Sequence, residues 1–367
     1  MKTAWVIPAC VVATTSIIVG IIWDISWHRT IGRDTFWTPA HMAIYLGGLL
    51  GGLSGAWLIL TTTFRGAADA PAVRIWGFRG PLGAWVSIWG AAAMLTSAPF
   101  DNWWHDAYGL DVKILSPPHV VLGLGMLAIQ IGVLMLVLSE QNRAGDAART
   151  RLGGVFAYTA GVLILTLATI LMEENLPNNQ HRGMFYKVSA VLYPLFLVAV
   201  ARAARLRWPA TAATAVYMSV SLAMTWVLPL FRAQPLLGPI LNPVDHMVPP
   251  PFPLLLIVPA VAVDVLLSRV RGRDWLLCAV LGASFVGLFF AVQFWLAEFM
   301  LSPAARNAFF AGGQWSYNTP RGAFLYRFWG MREDPVTWRA LLVATALACA
   351  SARVGLWWGR WMQRLVR

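Results

Sequence analysis

Two short stretches of this chain bring a carboxylate and two imidazoles into a pattern that can hold a metal ion. In the first, Asp24 and His28 stand four residues apart, so a helix running through them sets both on one face, one turn apart. His41 follows Pro39, and a proline is tolerated in the first turn of a helix, so this second histidine opens the next helix. The second stretch repeats the device: Asp101 and His105 are again four apart, and His119 follows Pro117 and Pro118. The histidines of each stretch are 13 and 14 residues apart, respectively. Two imidazoles and a carboxylate, without a thiolate, suit copper(II), zinc(II) or non-haem iron(II) and leave positions open for water or dioxygen. A structural zinc would be closed by four protein ligands, so an open set of three leans toward catalysis or transport. Asp34, Asp106 and Asp111 could orient an imidazole N–H, though loop acids of this kind are more often simply solvated. A lone histidine at a helix end is commonly an interfacial residue or a cap. Its recurrence at matching ends of consecutive hairpins turns the reading toward a site.

The elements that must position these residues follow from composition. Of 367 residues, 58% are hydrophobic and 12% charged, against about 25% charged in a soluble domain. Apolar runs near 4–23, 41–63, 81–100, 119–139, 153–172, 187–206, 210–230, 251–268, 276–300 and 338–358 approach the length a helix needs to cross a bilayer. The expected fold is therefore an all-α, polytopic integral membrane helical bundle of about ten transmembrane helices. Of the 28 cations, 17 fall on one set of connecting segments and 11 on the other, which puts both termini in the cytoplasm. All six histidines fall on the opposite, periplasmic side of what is then a bacterial inner membrane. The net charge of +12 is distributed rather than gathered into a patch, which argues against nucleic acid. Cys10, Cys278 and Cys349 lack paired spacing, so neither a disulfide framework nor a thiolate metal site is expected. The first run carries no small-residue cleavage motif and reads as a retained helix. No phosphate-cradling loop, nucleophile elbow or dinucleotide fingerprint occurs, which argues against transport driven by ATP on this chain alone.

The residues resemble a known family. The pattern Asp24-x3-His28-x12-His41, within WDISWHRTIGRDTFWTPAH, resembles the copper motif of the C subunit of particulate methane and ammonia monooxygenases. The second pattern, within FDNWWHDAYGLDVKILSPPH, resembles that subunit's neighbouring copper site, with Asp101 standing where the family has asparagine and His105 and His119 as the two histidines. The likeness covers roughly residues 1–140. It implies an all-helical membrane subunit with copper sites near its outer surface, in an assembly that oxidises small apolar molecules or ammonia with dioxygen.

On this reading 1–140 is a four-helix metal-binding region made of two hairpins, and 141–300 holds further transmembrane hairpins. An outer amphipathic, aromatic loop fills 301–337, and 338–367 is the last transmembrane helix with a basic tail. Glu173, Glu174 and His181, and Asp245 with His246, repeat the hairpin pattern more faintly and are candidate additional ligands or loop residues. Asp264 is expected to pair with Arg269 and Arg271. The tryptophans read as interfacial anchors, with Trp27, Trp103 and Trp104 placed to shield a site or pass an electron. The 301–337 segment reads as a lid or membrane-surface piece, or as an interface for an outer soluble metalloprotein. Other membrane subunits and the lipid bilayer are the remaining expected partners. A metal transporter or a copper-delivery factor for a respiratory complex, a bis-histidine haem protein, and a structural subunit are the competing readings.

Overall fold

A computed structural model describes residues 5–66, 71–109, 116–270, 274–320, 328 and 334–366. Asp111, Arg271 and most of 321–333, which carries several aromatic and basic residues of the expected outer loop, lie outside the described residues. The helices are α1 (Val6–Thr30), α2 (Pro39–Arg65), α3 (Leu82–Tyr108), α4 (Pro117–Arg143), α5 (Asp146–Ile170), α6 (Met172–Asn175), α7 (Gly183–Ala203), α8 (Pro209–Val227), α9 (Ile257–Arg269), α10 (Asp274–Leu301) and α11 (Trp338–Met362). The one sheet among the described residues is a small antiparallel hairpin between α2 and α3, β1 (Val73–Ile75) with β2 (Phe78–Gly80), an addition to the all-α expectation.

This is a polytopic membrane helical bundle. Among the described residues eight helices are long and apolar enough to cross a bilayer: α1, α2, α4, α5, α7, α8 with the short turn after it, α10 and α11. Of the ten expected runs, those at α3 and α9 are not among these eight. Helix α3 is 27 residues long and carries Pro99, Asp101 and Asp106 in its C-terminal part. Helix α9 is a correction to the run at 251–268: it has 13 residues, a rise of about 20 Å against the roughly 30 Å of a hydrocarbon core. Pro249, Pro250, Pro251 and Pro253 hold the chain before it extended. Buried away from water, that stretch still needs partners for its amides. The Leu254 N–H donates to the Tyr217 hydroxyl at 2.9 Å, and the Leu255 N–H to Gln293 Oε1 at 2.9 Å.

The chain divides into two compact units, one of residues up to 21, 35–166 and the last four, the other of 22–34 and 167–363. In the first, α2 turns Leu46, Leu49, Leu53, Leu60 and Phe64 outward and buries Gly47, Gly48, Gly51 and Gly55. Lipid solvates the large side chains as well as a protein core would, so contact between helices comes from small residues that let backbones approach. Helices α3 and α4 meet in the same way. A Cβ on Gly90 would lie 2.6 Å from the Gly125 carbonyl oxygen, and one on Gly125 would lie 2.8 Å from that of Gly90. Gly83 and Gly132, seven residues away along each helix, form a second pair of this kind. In the second unit α7 and α11 run parallel, Gly183 beside Ala340 and Gly355 beside Leu195 and Val198.

Candidate metal centres

The glycine crossings set the register of α3 against α4. From Gly90 and Gly125, another seven-residue step brings Ser97 level with Pro118. Asp101 lies one turn beyond Ser97, and His119 is the residue after Pro118. His119 is the third residue of α4, behind the two prolines that start it, and His41 is likewise the third residue of α2, behind Pro39. Helix α3 continues through Pro99 to Tyr108 and so carries Asp101 and His105 in its last turns.

Asp101, His105 and His119 converge, with ligand atoms all within 4.8 Å of one another. His105 Nε2 lies 3.5 Å from Asp101 Oδ2, and His119 Nε2 lies 3.5 Å from Asp101 Oδ1. These separations compare with those expected around a proton and around a larger cation. A charge-assisted hydrogen bond would close to about 2.7–2.9 Å. Ligands about 2.0–2.1 Å from a tetrahedral metal stand about 3.3 Å apart, close to what is seen. Asp101 Oδ1 is shielded from solvent and, among the described residues, accepts no hydrogen bond. His105 Nδ1 lies 3.1 Å from the Gly109 carbonyl oxygen. A carbonyl only accepts, so Nδ1 carries the hydrogen, which leaves Nε2 as the nitrogen a metal would use; such a second contact ordinarily orients metal-binding imidazoles. The three side chains are about one-third exposed, which leaves a path for an ion from water.

The second cluster joins Asp24, His28 and Asp34. His28 Nε2 is 3.8 Å from Asp24 Oδ2 and 3.5 Å from Asp34 Oδ2. Asp24 and His28 share the face of α1 that their spacing implies. Asp34, which composition favours as a solvated loop acid, is instead returned to His28 by the turn after the helix. His41 lies in the first unit, its Nδ1 2.9 Å from the Thr35 carbonyl oxygen, so Nε2 is the nitrogen a metal would use.

The fainter motifs are placed differently. His181 is buried, stacked between Phe294 and Phe328 at centroid distances of 3.7 and 3.3 Å, with Nε2 donating to the Phe294 carbonyl at 3.0 Å. Burial pushes its pKa down, against the smaller raising effects of that carbonyl and of Glu298. Asp245 and His246 pair with each other at 2.9 Å, and the bond to His246 holds the Asp245 carboxyl below the usual carboxylate range. Among the described residues neither His181 nor the Asp245–His246 pair joins a cluster of three ligands. Glu174 lies 3.8 Å from Arg182. Asp106, exposed on the last turns of α3 rather than in a loop, accepts a long bond of 3.3 Å from Asn102 one turn earlier. Trp103 is exposed, as an interfacial anchor would be, and Trp104 packs against Tyr108.

Asp264 requires a correction. Among the described residues, Arg269 included, it pairs with no arginine and instead accepts from the Ala210 N–H at 3.1 Å, and from the Thr211 N–H and hydroxyl at 2.8 Å each. Helix α8 begins at Pro209, and its first-turn amides lack partners within the helix, so a carboxylate there satisfies donors that arginine could not. Comparison with protein-family models, with curated proteins and with solved structures finds no match to this chain.

Proposed function

We propose that this chain is a copper-binding membrane protein that works as a subunit of a dioxygen-dependent oxidase of small apolar molecules, with its centres at the outer face of a bacterial inner membrane. The observation that carries the proposal is the Asp101–His105–His119 cluster, whose 3.5 Å separations fit a metal better than a charge-assisted hydrogen bond and whose buried Asp101 Oδ1 accepts none among the described residues. The donor set suits copper(II) and also zinc. The two motifs, with their likeness to the monooxygenase C subunit, favour copper.

Among the described residues of this cluster Asp101 supplies the negative charge, and its two oxygens face one imidazole each. His105 is fixed in rotation and tautomer by Gly109, and His119 is fixed by the rigid start of α4. Bound copper would contribute one-electron and dioxygen chemistry. The surrounding apolar helices keep bulk water from one side and give a hydrophobic substrate access from lipid.

The test is metal analysis of purified protein and of His105→Ala with His119→Ala. The double variant is expected to lose one copper equivalent per chain while keeping its helical content. Unchanged copper would refute the assignment.

A further inference from the structure

The turn after α1 is built to return Asp34 to His28. Helix α1 ends at Thr30, and Gly32 follows with φ +85°, a conformation that costs a side chain strain. A Cβ there would also collide with the Tyr317 hydroxyl. The Trp27 indole N–H donates to the Arg33 carbonyl at 2.8 Å, closing the turn one residue before Asp34. Neighbouring segments clamp the frame: the Tyr317 N–H donates to the Arg29 carbonyl at 3.0 Å, and the Leu236 N–H to the Ile31 carbonyl at 2.9 Å. Ser26 Oγ donates to the Val248 carbonyl at 2.6 Å, and Arg29 to the Pro249 carbonyl at 2.9 Å. The turn therefore presents Asp34 Oδ2 3.5 Å from His28 Nε2, too far for a charge-assisted hydrogen bond and close to a shared edge of a metal polyhedron.

We infer that Asp34 is a metal ligand of the first centre and that it makes the two centres chemically unequal. Asp24, His28 and Asp34 offer two carboxylates and one imidazole, whereas Asp101, His105 and His119 offer one carboxylate and two imidazoles. Carboxylates suit harder ions such as manganese(II), and imidazoles suit copper and zinc. The first centre thus discriminates less strongly for copper(II) over manganese(II) than the second. Trp27 acts on it as a positioning residue, through the Arg33 carbonyl. The inference rests on the reading of these clusters as metal centres.

The experiment uses the full chain in detergent with His105→Ala and His119→Ala, which leaves the first centre alone. Manganese(II) is titrated by electron paramagnetic resonance, and copper(II) by competition against a chelator. Adding Asp34→Asn is expected to weaken manganese at least tenfold and copper by less, with an unchanged thermal melt. Trp27→Phe keeps every ligand yet is expected to weaken manganese in the same direction. If manganese and copper bind alike with and without Asp34→Asn, the inference is overturned while the metal reading of the first centre survives. If neither metal binds before Asp34 is changed, both fall together.

Discussion

The close approach of α3 to α4 can be perturbed without touching a ligand. Gly90→Ala adds one methyl group where a Cβ would lie 2.6 Å from the Gly125 carbonyl and 2.7 Å from the Ile129 nitrogen, both backbone atoms that cannot swing aside. Ordinary van der Waals contact begins at 3.4 Å, so the helices must part locally by 0.8 Å. Overpacking of this kind costs about 1–3 kcal/mol. Alanine recovers up to about 1 kcal/mol of helix propensity over glycine, so the net loss of stability is small. The centre is less forgiving. Its ligands come from both helices, and metal–ligand distances tolerate shifts of only about 0.2 Å. Copper(II) affinity at Asp101, His105 and His119 is therefore expected to fall by tenfold or more, about 1.4 kcal/mol, while the fold persists. Calorimetric titration in an Asp24→Ala, His28→Ala background isolates this centre. Gly154→Ala, where a Cβ would meet nothing within 4 Å, is the control and should leave affinity unchanged. A Gly90→Ala protein that keeps its melt and binds copper within twofold of its parent would refute the argument that the glycine crossing sets the site.

Two further expectations concern the second unit. Because burial lowers the His181 pKa in the fold below its ordinary 6.5, the unfolded chain binds the proton more readily. The stability His181 confers is thus fully present above about pH 6.5 and is lost as pH falls toward its folded value. Melts between pH 5 and 8 should show that slope in the parent, and a His181→Phe protein that kept the same slope would assign it to another group. Tyr217→Phe strips the buried Leu254 N–H of its acceptor and is expected to cost about 1–3 kcal/mol in a thermal or denaturant assay; an unchanged melt would mean that the amide finds another partner.

Much of this arrangement is legible in the sequence because it depends on local rules. The four-residue steps from Asp24 to His28 and from Asp101 to His105 are one helical turn wherever the helix sits, and Pro39 and Pro117 mark helix starts. The prolines at 249–253 likewise announce extended chain, although an apolar run at 251–268 disguises the half-length helix α9. Asp34 and Asp264 are harder to place. The role of Asp34 depends on a positive-φ turn at Gly32 and on Trp27 reaching Arg33, and Gly32 is its one local sign. The partner of Asp264 is the first turn of α8, about fifty residues earlier in the chain, and nothing in the charge pattern favours amides over nearby arginines.

The way the ligands sit on their helices also bears on what the centres can do. The apolar runs end near residues 23 and 100, yet α1 continues to Thr30 and α3 to Tyr108. Seven or eight additional residues at about 1.5 Å each carry the helix ends about 10–12 Å beyond the hydrocarbon-like stretch. Asp24, His28, Asp101 and His105 ride on these extensions; if the apolar stretches lie in the bilayer, as the proposed function has it, their charges avoid the cost of its interior. Transport would need more, namely a relay of ionisable groups through the bundle. Asp264 is the carboxylate the sequence offers for that relay, and both its oxygens are taken by the first-turn donors of α8. Its oxygens are thus committed to capping a helix rather than to handing on an ion.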